Sequence, residues 1–397
     1  MPRPLAIRAH LRSLVQRPAE RIPGIDGLRA LAVLWVLAFH GVLFLAPHLE
    51  ADGVQRLTTS AWGRFALQGE LGVDAFFVIS GFLITGLLLR ELDTGGRVLL
   101  LRFYLRRALR LLPAAYVVMA FCAWLAPQGI HTIWTNLVYV NNFVPFHDSF
   151  MGWAWSLAIE EQFYAVFPLV LPWLIRRERP LRWIIGLVGA GVALRALLAW
   201  VGDVGPFPHH PPWLAGGAAG EDFVRHWDWL YTRPYTRGGA LLIGVGLAFF
   251  ARTSSPATWP ARRLLLLGIA LMVPVLLVSR AAPPGEAPVL PSALGHAYLA
   301  AFHTVFALGV GAVLASSLAG GLARRVLDAW IWYPIAQLSY CIYLVNPLSV
   351  GFWYSLLAAT GQPLDPAGWQ LGAWINTFVT AFFLYVLIER PFMALRR

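Results

Sequence analysis

Lysine is missing from this chain: all 31 of its basic residues are arginine, set against 20 acidic residues in 397. Charged residues of any kind are scarce at 13%, about half the usual content of a soluble domain. That scarcity, with so much apolar sequence, excludes intrinsic disorder and an ordinary cytosolic enzyme. Cysteine is nearly absent too. Cys122 and Cys341 lie in apolar stretches with no CxxC spacing, so a secreted disulfide scaffold is excluded and both are expected to be small packing residues. What the chain has is oil: 58% hydrophobic residues and a mean hydropathy of +0.63. Its net charge of +11 does not point to a nucleic-acid partner, because the arginines punctuate apolar runs instead of collecting on a polar face.

A membrane-spanning helix needs about 20 mostly apolar residues. Ten segments qualify, at roughly 28–47, 70–90, 111–127, 154–175, 183–201, 236–251, 263–279, 296–318, 331–352 and 370–389. The expected fold class is all-α, a polytopic transmembrane bundle of about ten helices, with 128–150 as an added re-entrant or interfacial segment. With the N-terminus inside, 24 of the 31 arginines fall in inside segments and five in outside loops, so both termini are expected to be cytoplasmic. The whole chain, 1–397, reads as one membrane domain with a basic tail at 1–21 and no appended soluble domain. Within that tail, 5–17 has the pattern of a short basic amphipathic helix. The longest outside loop, roughly 202–235, is rich in Gly, Pro and Trp and is expected to cap the outer face.

Ionisable groups inside a bilayer are costly and are functional candidates by default. His40 follows Arg29 by eleven residues, a rise of about 16 Å and a turn of about 1100°, so the two share a helix face. Arg29 is then expected near the inner boundary and His40 about halfway across. Taken alone, His40 reads equally as a histidine hydrogen-bonded between helices. Arg102, Arg106, Arg107 and Arg110 make a broad cationic face, suited to phosphate by their guanidinium forks or to anionic lipid headgroups. Ser156, Glu160 and Tyr164 recur every four residues and share a face, with Glu161 pointing elsewhere. Asp74 enters the second span, where it either pairs with an arginine or caps the helix. His209, His210, Asp222, His226 and Asp228 match no metal-ligand spacing, so no metal is expected, and the glycines of 216–220 lack the ending of a phosphate loop.

Taken together, these motifs resemble the acyltransferase-3 family of bacterial integral-membrane acyltransferases. GIDGLRALAVLWVLAFHG, LGVDAFFVISGFLIT, FYLRRALRLLP, WSLAIEEQFY, LSYCIYLVNP and LIERPF are similar to the family's elements and occur in its order, from about residue 22 to 394. The resemblance implies transfer of an acyl group, usually acetyl, from cytoplasmic acyl-CoA to a hydroxyl on a cell-envelope glycan, a lipid-linked saccharide or a secreted metabolite, at the bacterial cytoplasmic membrane. It implies CoA phosphate binding by Arg107 and Arg110, helped by Arg102 and Arg106. Arg29 would lie on the donor path, His40 at the catalytic position and Glu160 on the acceptor side. Ser156, Tyr164, Arg237 and Asn346 are expected on the substrate side. Two positions depart from the family pattern: Asn346 stands where a histidine is frequent, and Gly239 replaces the aspartate of TRxD.

A thioester is already activated, so such an enzyme must position it, deprotonate an alcohol and stabilise an oxyanion. His40 is expected to take the proton, with Glu160 or Asp74 holding the imidazole; an acyl-histidine relay is the second possibility. The competing readings are an envelope glycan transporter, flippase or polymerase, and a catalytically inactive membrane relative.

Overall fold

The computed structural model describes residues 7–18, 21–125, 129–202, 204, 218–278, 292–361 and 365–395. Among them there is no strand, and eleven of the eighteen α-helices organise the chain. They are α1 (Ile7–Val15), α2 (Ile25–Leu45), α3 (Leu71–Gly95), α4 (Leu100–Leu125), α5 (Trp155–Ile175), α6 (Pro180–Val201), α7 (Gly239–Thr253), α8 (Ala261–Leu277), α9 (Ser292–Ala319), α10 (Trp332–Ala359) and α11 (Pro366–Leu384). Every expected span is one of α2–α11. Eight are long and apolar enough to cross a membrane. The other two, α7 with 15 residues and α8 with 17, reach only about 23 and 26 Å at 1.5 Å per residue.

The third span begins earlier than its hydropathy suggests, at Leu100 rather than 111, because the helix runs straight through the arginine-rich stretch. Arginine is a good helix former, and the helix then shelters part of its own cationic face. α2 lies against α10, α3 against α7, and α8 against α9. The α3–α7 crossing depends on two small residues. A Cβ on Gly81 would run into the Leu241 carbonyl, and one on Gly244 into that of Val78, so the backbones touch, as in small-residue membrane interfaces.

Residues 129–154 form single helical turns instead of a span. Neighbouring elements satisfy part of their irregular backbone. Gln162 of α5 donates to the Tyr139 carbonyl at 2.7 Å and to Asn142 Oδ1 at 2.8 Å, and the Asn142 carbonyl accepts from Arg233 at 2.6 Å. Asp228 caps the Phe146 N–H at 2.9 Å, so the described part of the long loop covers this segment. The two ends of the chain meet: His10 Nδ1 lies 3.2 Å from the Val386 carbonyl, and Arg17 of the basic tail pairs with Asp26 at 2.9 Å.

Candidate functional site

Five helices, α2, α3, α4, α5 and α10, surround a cavity that collects half of the site residues expected from the sequence. Arg29 enters from α2, Arg107 and Arg110 from α4, Ser156, Glu160 and Tyr164 from α5, Ser80 from α3, and Ser339 and Tyr343 from α10. The α4 arginines sort by helical period. Phe103 and Ala114 are buried, and Arg107 and Arg110 lie on the stripe that joins them, four, seven and eleven residues on from Phe103. Arg102 and Arg106 fall on the other side and are exposed. The four-residue spacing of Arg102, Arg106 and Arg110 is therefore not the face that lines the cavity.

Inside the cavity several groups have definite partners. Arg29 donates to Ser339 Oγ at 2.8 Å. Glu160 accepts from Ser80 Oγ at 2.5 Å. The Arg107 guanidinium lies 3.8 Å from the centre of the Tyr164 ring, a cation–π stack, and its Nε is buried with no partner. Tyr343 donates to the Trp153 carbonyl at 2.8 Å, so in its short bond with Ser156 the serine is the donor. Three guanidinium groups face one carboxylate in the lining, so the cavity suits an anion of more than one charge. Its height follows from helix register. Arg107 is about 10 Å along α4 from Leu100, and Arg29 about 6 Å along α2 from Ile25. Both therefore lie within three turns of the first residue of their helix.

His40 does not line this cavity. It stands about 16 Å further along α2 than Arg29, between Phe39 and Phe44, at 5.1 and 6.2 Å between ring centres, and it faces Asn346 of α10. Neither Glu160 nor Asp74 holds its imidazole. Glu160 is engaged in the cavity with Ser80. Asp74, fully buried, belongs to a second cluster. Its Oδ2 accepts from His303 Nδ1 at 2.7 Å and from Arg237 Nη2 at 3.3 Å. Arg237 Nη1 lies 2.6 Å from His303 Nε2; a guanidinium can only donate, so His303 is neutral with its proton on Nδ1. Arg237 also stacks on Trp155 and Tyr231, at 5.0 and 4.9 Å. Nearby, buried Arg195 donates to the carbonyls of Leu299 and Leu230 at 2.7 and 3.2 Å. The ring contact of Phe77 with Trp155 divides this cluster from the cavity. Of the two roles open to Asp74, pairing with arginine is the one the fold uses; the start of α3 has no side-chain cap.

Sequence reasoning missed His303, although a lone histidine in a long apolar helix is the same signal that picked out His40. Ser80, Ser339 and Tyr343 carry no such signal, because hydroxyls are common in membrane helices. No group of three potential metal ligands occurs among the described residues. His209 and His210 lie outside them, as does the side chain of Asp222.

With this geometry in place, comparison with known proteins adds the following. A family model described as an acyltransferase domain, that of the acyltransferase-3 family, matches residues 22–388. The O-acetyltransferase OatA of Staphylococcus aureus strain NCTC 8325 is 35% identical over 196 residues, and a provisionally named O-acetyltransferase of strain COL is 37% identical over 194. Each match covers 44% of this chain and 29% of the relative. No solved structure matches it significantly.

Proposed function

The chain belongs to the acyltransferase-3 family, and we propose that it moves an acyl group, most simply acetyl, from acyl-CoA to a hydroxyl of a cell-envelope glycan, a lipid-linked saccharide or a secreted metabolite. The observation that carries this reading is the convergence of Arg29, Arg107 and Arg110 on one cavity that holds a single carboxylate. CoA presents a pyrophosphate and a ribose phosphate, and three guanidinium forks in a sheltered pocket match that chemistry. The names of the Staphylococcus aureus relatives support an O-acetyl product. The arginine distribution supports a bacterial cytoplasmic membrane with both termini inside, where CoA is available.

In this reading the phosphates dock among the arginines and the extended pantetheine arm carries the thioester along α2 toward His40. His40 takes the proton of the acceptor hydroxyl as its oxygen attacks the thioester carbonyl. The carbon–sulfur bond then breaks, and the departing CoA thiolate recovers the proton from the imidazolium. Glu160 balances the arginines and keeps their forks apart.

Purified protein in detergent, supplied with acetyl-CoA and extracted envelope glycans, is expected to release free CoA thiol and give a product 42 mass units heavier. His40→Ala is expected to lower turnover by about 100-fold or more. Wild-type turnover in a His40→Ala variant of equal stability overturns the assignment.

A further inference from the structure

Asn346 is fully buried in α10, and its orientation is fixed by its own helix. Its Nδ2 donates to the carbonyls of Ile342 and Tyr343, at 3.1 and 2.9 Å. The amide nitrogen is thus turned back on the preceding turn, and Oδ1, an acceptor only, points away from it with no partner. The side chain it faces is His40, whose Nδ1 is likewise buried without a partner. The other acceptor that reaches the imidazole is the Val36 carbonyl of its own helix, and the rings of Phe39 and Phe44 complete the α2 side. From α11, Gln370 Nε2 lies against the neighbouring Gly41, 2.7 Å from where a Cβ would stand. No charged side chain among the described residues faces His40.

We propose that Asn346 is the positioning residue for His40: its Oδ1 holds the protonated ring nitrogen and so leaves the other nitrogen free to receive the acceptor's proton. The oxygen can do this because both amide hydrogens are already committed to the backbone. A neutral amide orients the ring without stabilising an imidazolium by charge, so the proton taken from the acceptor is readily returned to the leaving thiolate. The position one turn beyond Tyr343 also links the two parts of the site, since Tyr343 lines the arginine cavity and Asn346 meets His40. This inference rests on the acyl-transfer reading for its purpose, but its geometry is tested separately.

The test uses full-length protein labelled with ¹⁵N-histidine in detergent, with the His40 signal assigned by its loss in His40→Gln. Wild type is expected to show a single neutral tautomer. Asn346→Leu is expected to show a mixture, with turnover of acetyl-CoA down about 10- to 100-fold and the donor's KM within about twofold. Asn346→Asp places a carboxylate against the ring, and the protonation midpoint of His40 is expected to move up by about one pH unit or more, as for charges within hydrogen-bonding reach. The acid limb of the pH–rate profile should follow it. An unchanged tautomer in Asn346→Leu, or an unmoved midpoint in Asn346→Asp, overturns the proposal. Absence of turnover in wild type would instead overturn the acyl-transfer reading, and the nitrogen signals would still decide the role of Asn346.

Discussion

Two charged clusters lie back to back inside this bundle, separated by Phe77 and Trp155, and they are built on opposite principles. The cluster of Asp74, His303 and Arg237 is closed. Each member bonds the other two and Arg237 also stacks on aromatic rings, so its one carboxylate and one guanidinium answer each other, with only Asp74 Oδ1 and Arg237 Nε left without a bond. The cluster of Arg29, Arg107, Arg110 and Glu160 is open, since its three cations outnumber its one carboxylate and all four line a cavity. A closed cluster joins helices, and an open one waits for an anion. Arginine and acidic content alone does not separate them, because each contains arginine and one acidic residue.

That contrast can be broken by substitution. The largest effect is expected from Asp74→Leu, which strands buried Arg237. Removing one partner of a buried pair costs about 3–5 kcal/mol, so the thermal midpoint in detergent should fall steeply or the protein fail to accumulate. The double variant Asp74→Leu with Arg237→Leu should regain much of that loss; no recovery would mean that the pair does not act as a unit. Next come Arg107→Ala and Arg110→Ala, each expected to raise the KM for acetyl-CoA by about 10- to 100-fold, the worth of a charged hydrogen bond. Thermal stability should hold, because each change relieves repulsion among like charges; a loss of stability without a change in KM would place these arginines with the closed cluster. The smallest effect is expected from Arg102→Ala combined with Arg106→Ala. Both are exposed and screened by solvent, so a KM change beyond about twofold would show that the donor reaches outside the cavity.

Much of this was legible along the chain. The helices, their approximate ends and the shared face of Ser156, Glu160 and Tyr164 follow from hydropathy and a 3.6-residue period. The start of α4 was not legible, because a hydropathy window treats arginine as a boundary while the helix continues through Arg102–Arg110. The partner of Asp74 was not legible either. Its two neighbours lie 163 and 229 residues away, and a single carboxylate in an apolar run does not say which distant helix will answer it. Likewise Glu160 and Asp74 were both reasonable holders of His40 until the packing of α2 against α10 brought Asn346 to it.

The amino-acid sequence by itself determined that this is an all-helical chain suited to lipid. An apolar segment in a bilayer must satisfy its backbone hydrogen bonds within itself, and for a single segment only a helix does so. It determined as well which residues share a face of each helix, since that is set by the geometry of one helix. Only the tertiary structure decided which faces meet and at what height. Those choices turn on lateral packing, on close approaches such as Gly81 with Gly244, and on the relative displacement of helices along their axes. By those displacements the lysine-free chain gathers three of its arginines into a cavity, locks Arg237 to Asp74 and His303, and leaves His40 facing Asn346.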